Sequence, residues 1–180
     1  MSIESGDDPE YRIAGATDGP GPFESITDRS RHPMVIATVS SIDGEAAGCL
    51  VGFHTRCSVE PARYLVCLST RNRTFEVASE VDTMVVHHVD AGDVDLARWF
   101  GEETGDEVDK FAGVAWSRGP GGAPVLLDVD SWWAGRIVAT IPLGDHTGFV
   151  LDPIAGLAGV DRAPFTAEAA ADFDAGHEAG

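Results

Sequence analysis

The sequence predicts a mainly β chain, an antiparallel barrel of at least six strands with short helical insertions. Three observations predict it. The apolar residues fall in short runs rich in Val, Ile and aromatic side chains, each bounded by Gly, Pro or Asp. Helical periodicity is confined to two stretches. No Gly-x-Gly-x-x-Gly follows a strand, which argues against a doubly wound nucleotide-binding sheet.

Taken in order, residues 1–30 are polar, acidic and punctuated by Gly and Pro, and are expected to form a flexible extension without a core of its own. The folded domain is expected over residues 31–160. Its strands are predicted at "PMVIATVSS", "AAGCLVGFH", "RYLVCLST", "TMVVHHV", "APVLLDV", "SWWAGRIVATIPL" and "GFVLDPIAG". Between the first two, "SIDGEAAG" reads as a hairpin, because Asp43-Gly44 supplies the positive φ that a tight turn needs. In the second run, alternation puts Cys49, Val51 and Phe53 on one face and Leu50, Gly52 and His54 on the other; Thr55–Ser58 are then expected to leave the sheet before Pro61. Helices are predicted at "NRTFEVASE", capped by Asn72 or Thr74, and at "VDLARWFGEETGDEVDKFAG", where Val94, Ala97 and Trp99-Phe100 form one face. Residues 161–180 form an acidic tail whose composition suits either a short helix around Ala167–Phe173 or a disordered end.

Composition narrows the function classes. A chain of 180 residues with 43% hydrophobic composition buries one sizeable core. There is no apolar run long enough for a membrane helix, and acids stand where a signal peptide needs positive charge, so a cytoplasmic location is expected. Thirty acidic against twelve basic residues give a net charge of −18, which disfavours nucleic acid and anionic membrane as partners. Lys110 is the only lysine; an acidic surface so poor in lysine fits either adaptation to high salt or an ordinary soluble surface from a GC-rich genome. Cys49, Cys57 and Cys67 sit in apolar surroundings and are expected to be buried, reduced thiols. No cysteine or histidine spacing suits a metal.

Three segments carry candidate chemistry. Gly52 marks either close approach of a ligand to a strand or a bulge at a barrel corner. "LSTRNRTFEV" sets Ser69, Thr70, Asn72 and Thr74 with Arg71 and Arg73 where a strand passes into a helix; this is either a phosphate cradle or a capped helix with solvated arginines. "PLGDHTGFV" brings Asp145 and His146 into a turn, where His146 either meets a ligand and a transferred proton or belongs to an ordinary hairpin. Of His87-His88 at most one faces the core and neither is read as a ligand, while the outward member of Trp132-Trp133 is a candidate to cover a subunit interface.

In this order the segments resemble the flavin reductase-like family of FMN-binding split barrels, from about Pro33 to Ala155. The matching stretches are "PMVIATVSS…DG", "CSVEP" (similar to the family's S-V-S-x-x-P-P), "LVCLSTRNRTFEVA", "DKFAGVAW…GAPVL" and "GDHTGFVLDPI". The resemblance implies a six-stranded antiparallel Greek-key split β-barrel, paired as a homodimer, with FMN or alternatively FAD near the subunit boundary. It implies that Leu50, Val51, Gly52 and Phe53, with Cys57 and Ser58, line the isoalloxazine and ribityl chain. Ser69, Asn72, Arg73 and Thr74 would hold the phosphate, and His146 would lie beside the flavin and the incoming nicotinamide. Where the family commonly carries a T-A-S-S-like stretch this chain reads Leu50-Val51-Gly52-Phe53, which leaves backbone N–H groups rather than hydroxyls to meet the flavin.

The function implied is a flavin oxidoreductase that takes hydride from NAD(P)H onto FMN and passes the electrons to a partner oxygenase or a second acceptor. Arg56 either meets the phosphates of the nicotinamide nucleotide or pairs with an acid at an interface. The alternatives are an FMN-binding electron carrier, sensor or store without reductase turnover, and an interaction module with an empty barrel.

Overall fold

The computed structural model describes residues 22–27, 32–103, 105 and 108–174. Two units separate at residue 31, Met1–Arg31 and His32–Gly180. In the first, only helix α1, Pro22–Thr27, is described, its Thr27 hydroxyl donating to the Phe23 carbonyl at 2.9 Å. The rest of the extension expected over 1–30 lies outside the described residues.

The second unit opens with the hairpin of β1, Val35–Ser40, and β2, Ala46–Val51. Gly44 takes φ +88° in the connecting turn, as the Asp43-Gly44 pair predicts. Then come β3, His54–Ser58, and β4, Arg63–Ser69; helix α2, Arg73–Ala78; β5, Thr83–His88; and helix α3, Val94–Glu102. The short β6, Trp116–Arg118, and β7, Pro124–Leu126, pair with each other. The long hairpin of β8, Trp132–Pro142, and β9, His146–Leu157, follows.

The main sheet has the order β2-β1-β5-β8-β9-β4-β3, and its pairs are antiparallel. Its end strands β2 and β3 are separated in sequence by Gly52 and Phe53 alone. So short a link spans roughly 10 Å at about 3.5 Å per residue, so the two ends of the sheet are held close together and the sheet curls. The Phe53 carbonyl extends the β3–β4 ladder by one rung, accepting from the Cys67 amide at 2.9 Å. The main sheet has seven strands where the sequence predicts six for the barrel, because the second apolar run bends at Gly52-Phe53 and continues as β3.

Inside the curl, Val35, Ala37 and Val39 of β1 pack with Cys49 and Val51, Val66 and Leu68, Met84 and Val86, and Phe149 and Leu151; Val77 and Ala78 of α2 close the cluster. The outer face of β1 and β2 is covered as well, by Ala97 and Phe100 of α3, Phe111 and Phe165. Burial on both faces is why "VIATVS" reads as a continuous apolar run rather than an alternating one. Gly48 permits this layering, since a Cβ there would stand 2.9 Å from Phe100 and 3.1 Å from Phe111.

Some expectations need correction. Thr55–Ser58 do not leave the sheet; they lie in β3, hydrogen-bonded to β4 through an edge ladder that a polar run supports without a hydrophobic pattern. Cys57 on that uncovered edge is exposed, whereas Cys49 is buried and Cys67 half-buried, and all three are free thiols. Residues 161–174 are anchored by two aromatic side chains rather than free: Phe165 is 1% exposed and stacks with Phe173 at 5.6 Å, while most of the other residues are exposed. Ala167–Phe173 form turns, not a helix. Val94 is 38% exposed, off the buried Ala97 and Phe100 face of α3. Trp132 packs against the cluster of Val85, Ala123, Val125 and Ala134 instead of standing outward. Among the described residues no helix is long and apolar enough to cross a membrane.

Candidate functional site

Three chain segments meet at one rim of the barrel. The antiparallel ladder of β4 and β9 sets Ser69 opposite His146. One residue on, the Thr70 amide and hydroxyl both donate to the Asp145 carbonyl, at 2.9 and 3.1 Å. The bend after β2 then brings the Phe53 ring edge-on to His146, with ring centroids 5.3 Å apart. Phe53 is 67% exposed, an aromatic ring left uncovered beside an imidazole.

His146 is oriented by its neighbour. Its Nδ1 lies 2.8 Å from Asp145 Oδ1. An ionised carboxylate only accepts, so Nδ1 carries the proton and Nε2 is left for other partners. This hydrogen bond holds the Asp145 carboxyl below its ordinary pKa.

Beyond Ser69 the chain turns into α2. Asn72 is the cap, as predicted, its side-chain oxygen accepting from the Thr74 amide at 2.9 Å. Thr74 is 1% exposed, so its hydroxyl faces the interior. The Arg73 guanidinium is already engaged: Glu45, from the β1–β2 turn, takes Nε and Nη2 at 2.9 and 2.6 Å, and Glu76 takes Nη1. These carboxylates raise the Arg73 pKa, Glu45 foremost. A cavity of about 400 Å³ opens beside Arg73 and Thr74, walled by Glu45, Gly48, Lys110 and Trp116. A smaller one of about 40 Å³ adjoins it through Arg73, Gly105 and Lys110 and reaches Asn72, Cys49 and Leu50.

The structure thus brings Phe53, Ser69 and His146 together and sets Asn72, Arg73 and Thr74 beside a cavity. Leu50 lines the small cavity and also packs against Gly101 of α3, where a Cβ would stand 3.2 Å from it. The Val51 side chain, 4% exposed, points into the barrel core and leaves only its backbone for a ligand. At Gly52 a Cβ would meet only Met34, at 3.4 Å, so packing within the chain does not require glycine there. Cys57 and Ser58 are not drawn in: Ser58 lies four steps along β3 from His54, roughly 13 Å at about 3.3 Å per residue, and neither residue lines a cavity described above. Arg56 donates to the Ser58 carbonyl at 3.3 Å and has no acidic partner among the described residues. His87 is buried and His88 exposed.

Sequence reasoning missed Glu45 and Lys110. Glu45 lies 28 residues from the arginine it engages, so no local motif announces it. Lys110 carried a signal that was available, as the single lysine of the chain.

The sequence matches the family model described as "Flavin reductase like domain" over residues 27–169. It is 26% identical over 113 residues to a "Probable flavin reductase" of Rhizobium meliloti (strain 1021), covering 63% of this chain and 35% of that protein. It is 31% identical over 123 residues to "FMN reductase (NADH) RutF 2" of Rhizobium rhizogenes (strain K84 / ATCC BAA-868), covering 66% of this chain and 70% of that one. The crystal structure of a flavin reductase domain protein from Arthrobacter sp. FB24 superposes with a TM-score of 0.70 at 22% identity, covering 79% of this chain and 86% of that one. The chain spans half the length or less, 50% and 35%, of two curated relatives it matches.

Proposed function

Because the chain belongs to the flavin reductase-like domain family, we propose that it binds FMN and takes hydride onto it from a reduced nicotinamide nucleotide. The observation that carries this reading is the convergence of Phe53, Ser69 and His146 at one rim, from which the chain passes through the Asn72–Thr74 turn, whose Arg73 and Thr74 line a cavity. It is supported by the similarity to an FMN reductase (NADH).

The donor set fits a flavin nucleotide. An uncovered aromatic side chain and a backbone link containing Gly52 suit a planar ring, and hydroxyls and cations at the start of α2 suit a phosphate. When bound, FMN supplies the hydride-accepting ring. Phe53 offers it an apolar surface. Asp145 fixes the His146 tautomer, so that Nε2 is the atom that holds or moves a proton. Ser69, Asn72, Arg73 and Thr74 are assigned to the phosphate end, with Arg73 bringing its two glutamates to the site. Leu50, Val51 and Gly52 contribute through their backbone. Cys57 and Ser58 reach the ligand only by way of a second copy of the chain, and exposed Val138, Ile141 and Leu143 offer apolar surface for such pairing. Onward delivery of electrons to an oxygenase or a second acceptor completes the proposal.

The test is direct. Protein mixed with FMN and NADH should oxidise NADH at a rate that depends on added FMN. His146→Ala should lower that rate at least about a hundredfold, the scale of losing a positioned acid or base, while FMN affinity measured by fluorescence stays within about twofold. Equal rates would remove His146 from the chemistry. The second reading, an FMN carrier without turnover, is favoured by the apolar Leu50 and Val51 in the stretch that meets the flavin; FMN binding without NADH or NADPH oxidation would establish it.

A further inference from the structure

The only lysine of this acidic chain is buried. Lys110 is 5% exposed and opens a short 3-10 turn, Lys110–Ala112, that Asp109 caps by accepting from the Phe111 amide at 3.0 Å. Trp99 of α3 pins the turn from the other side, its indole N–H donating to the Lys110 carbonyl at 2.9 Å. The side chain is thereby driven between β2 and α3, where Nζ donates to the carbonyls of Gly48 and Phe100 at 3.2 and 3.1 Å.

Two carbonyls do not neutralise an ammonium. Among the described residues no carboxylate forms an ion pair with Lys110. Among the described residues, the charged and titratable groups that share its two cavities are Glu45, Cys49, Arg71, Arg73, Glu103 and Asp109. Arg73 of α2 is engaged by Glu45 and Glu76. Glu103, just past α3, acts on Lys110 only at a distance. Burial pushes the Cys49 thiol of β2 up. Burial pushes the Lys110 pKa down, and Cys49 and Glu103 oppose this. A buried charge is costly unless it is paired, and Lys110, which has no ion-pair partner among the described residues, stands on the wall shared by both cavities, beside Arg73. An ammonium has three N–H donors; among the described residues two carbonyls accept from Nζ, which also stands 5.7 Å from the Phe100 ring centroid.

We infer that Lys110 is the buried cation that receives the phosphate of the flavin nucleotide, the part that the sequence assigns to Arg73. The assignment rests on the proposed binding of FMN. It follows from the contrast between two neighbouring cations, one matched by two carboxylates and the other, among the described residues, by none.

A single lysine gives a single signal. In protein labelled with lysine carrying carbon-13 at Cε, one side-chain resonance should shift saturably on addition of FMN and stay in place with riboflavin, which has the same ring and ribityl chain without the phosphate. Lys110→Gln should reduce FMN affinity about tenfold, as for the loss of a hydrogen bond to a charged group, and leave riboflavin affinity within about twofold. If FMN binds and the resonance does not move, or if Lys110→Gln keeps the preference for FMN over riboflavin, the role of Lys110 is overturned while flavin binding stands. If the variant does not fold, the resonance of the unaltered protein decides. Failure of both flavins to bind the unaltered protein overturns the proposed function as well.

Discussion

At position 87 an imidazole takes both of its hydrogen bonds from the backbone. Nε2 accepts from the Leu126 amide at 3.0 Å, so Nδ1 carries the proton and donates to the Ile36 carbonyl at 3.1 Å. The ring ties β5 to β1 and β7 in its neutral form. Burial, the largest cause, pushes its pKa down to about 4 from 6.5. The unfolded chain binds this proton more readily, so the stabilisation is complete above about pH 6.5 and is lost as pH falls toward 4, a loss of about 3 kcal/mol. Denaturant unfolding at pH 7 and pH 4 should show this decline, and His87→Gln should flatten it; an unchanged slope in the variant assigns the effect elsewhere. His87 and His146 show what residue-level reading can do. The alternation of the strand places one histidine of the pair inside, and the Asp145-His146 turn announces an oriented imidazole. Neither the backbone partners of His87 nor the Phe53 contact of His146 is written locally, because each depends on segments tens of residues away.

Elements follow their sequence signals closely where a hydrophobic face exists. Every apolar run predicted as a strand is one, and the two helical patterns are helices, shorter than the patterns suggested. The strands that escaped are β3 and β6, edge strands whose stability comes from ladder hydrogen bonds, and the short helix α1 escaped as well. The cap of α2 was legible because Asn at a strand-to-helix junction has few better uses. Replacing Asn72 by Ala should cost about 1 kcal/mol in equilibrium unfolding, and replacing it by Asp should recover most of that. If the Ala variant unfolds at the same denaturant concentration, the bond to the Thr74 amide is not stabilising.

For the whole molecule the net charge of −18 dominates. Twelve basic residues cannot match thirty acids, and several of the arginines are already paired: Arg63 with Asp152, Arg73 with Glu45 and Glu76, Arg98 with Glu102 and Asp172, and Arg162 with Asp90 and Asp130. The remaining acids repel one another, and that repulsion is screened within about 3 Å in molar salt. Thermal unfolding should therefore move to higher temperature from low-salt buffer to molar KCl; an unchanged midpoint rejects salt adaptation.

The Gly52-Phe53 link is the chain connection that joins the two ends of the main sheet directly. A protease site inserted there would let the chain be nicked with every strand ladder intact. Cutting it would free two unpaired rims, and strands so bared tend to recruit rims of other molecules. A severed chain should therefore remain folded when dilute and associate edge to edge when concentrated.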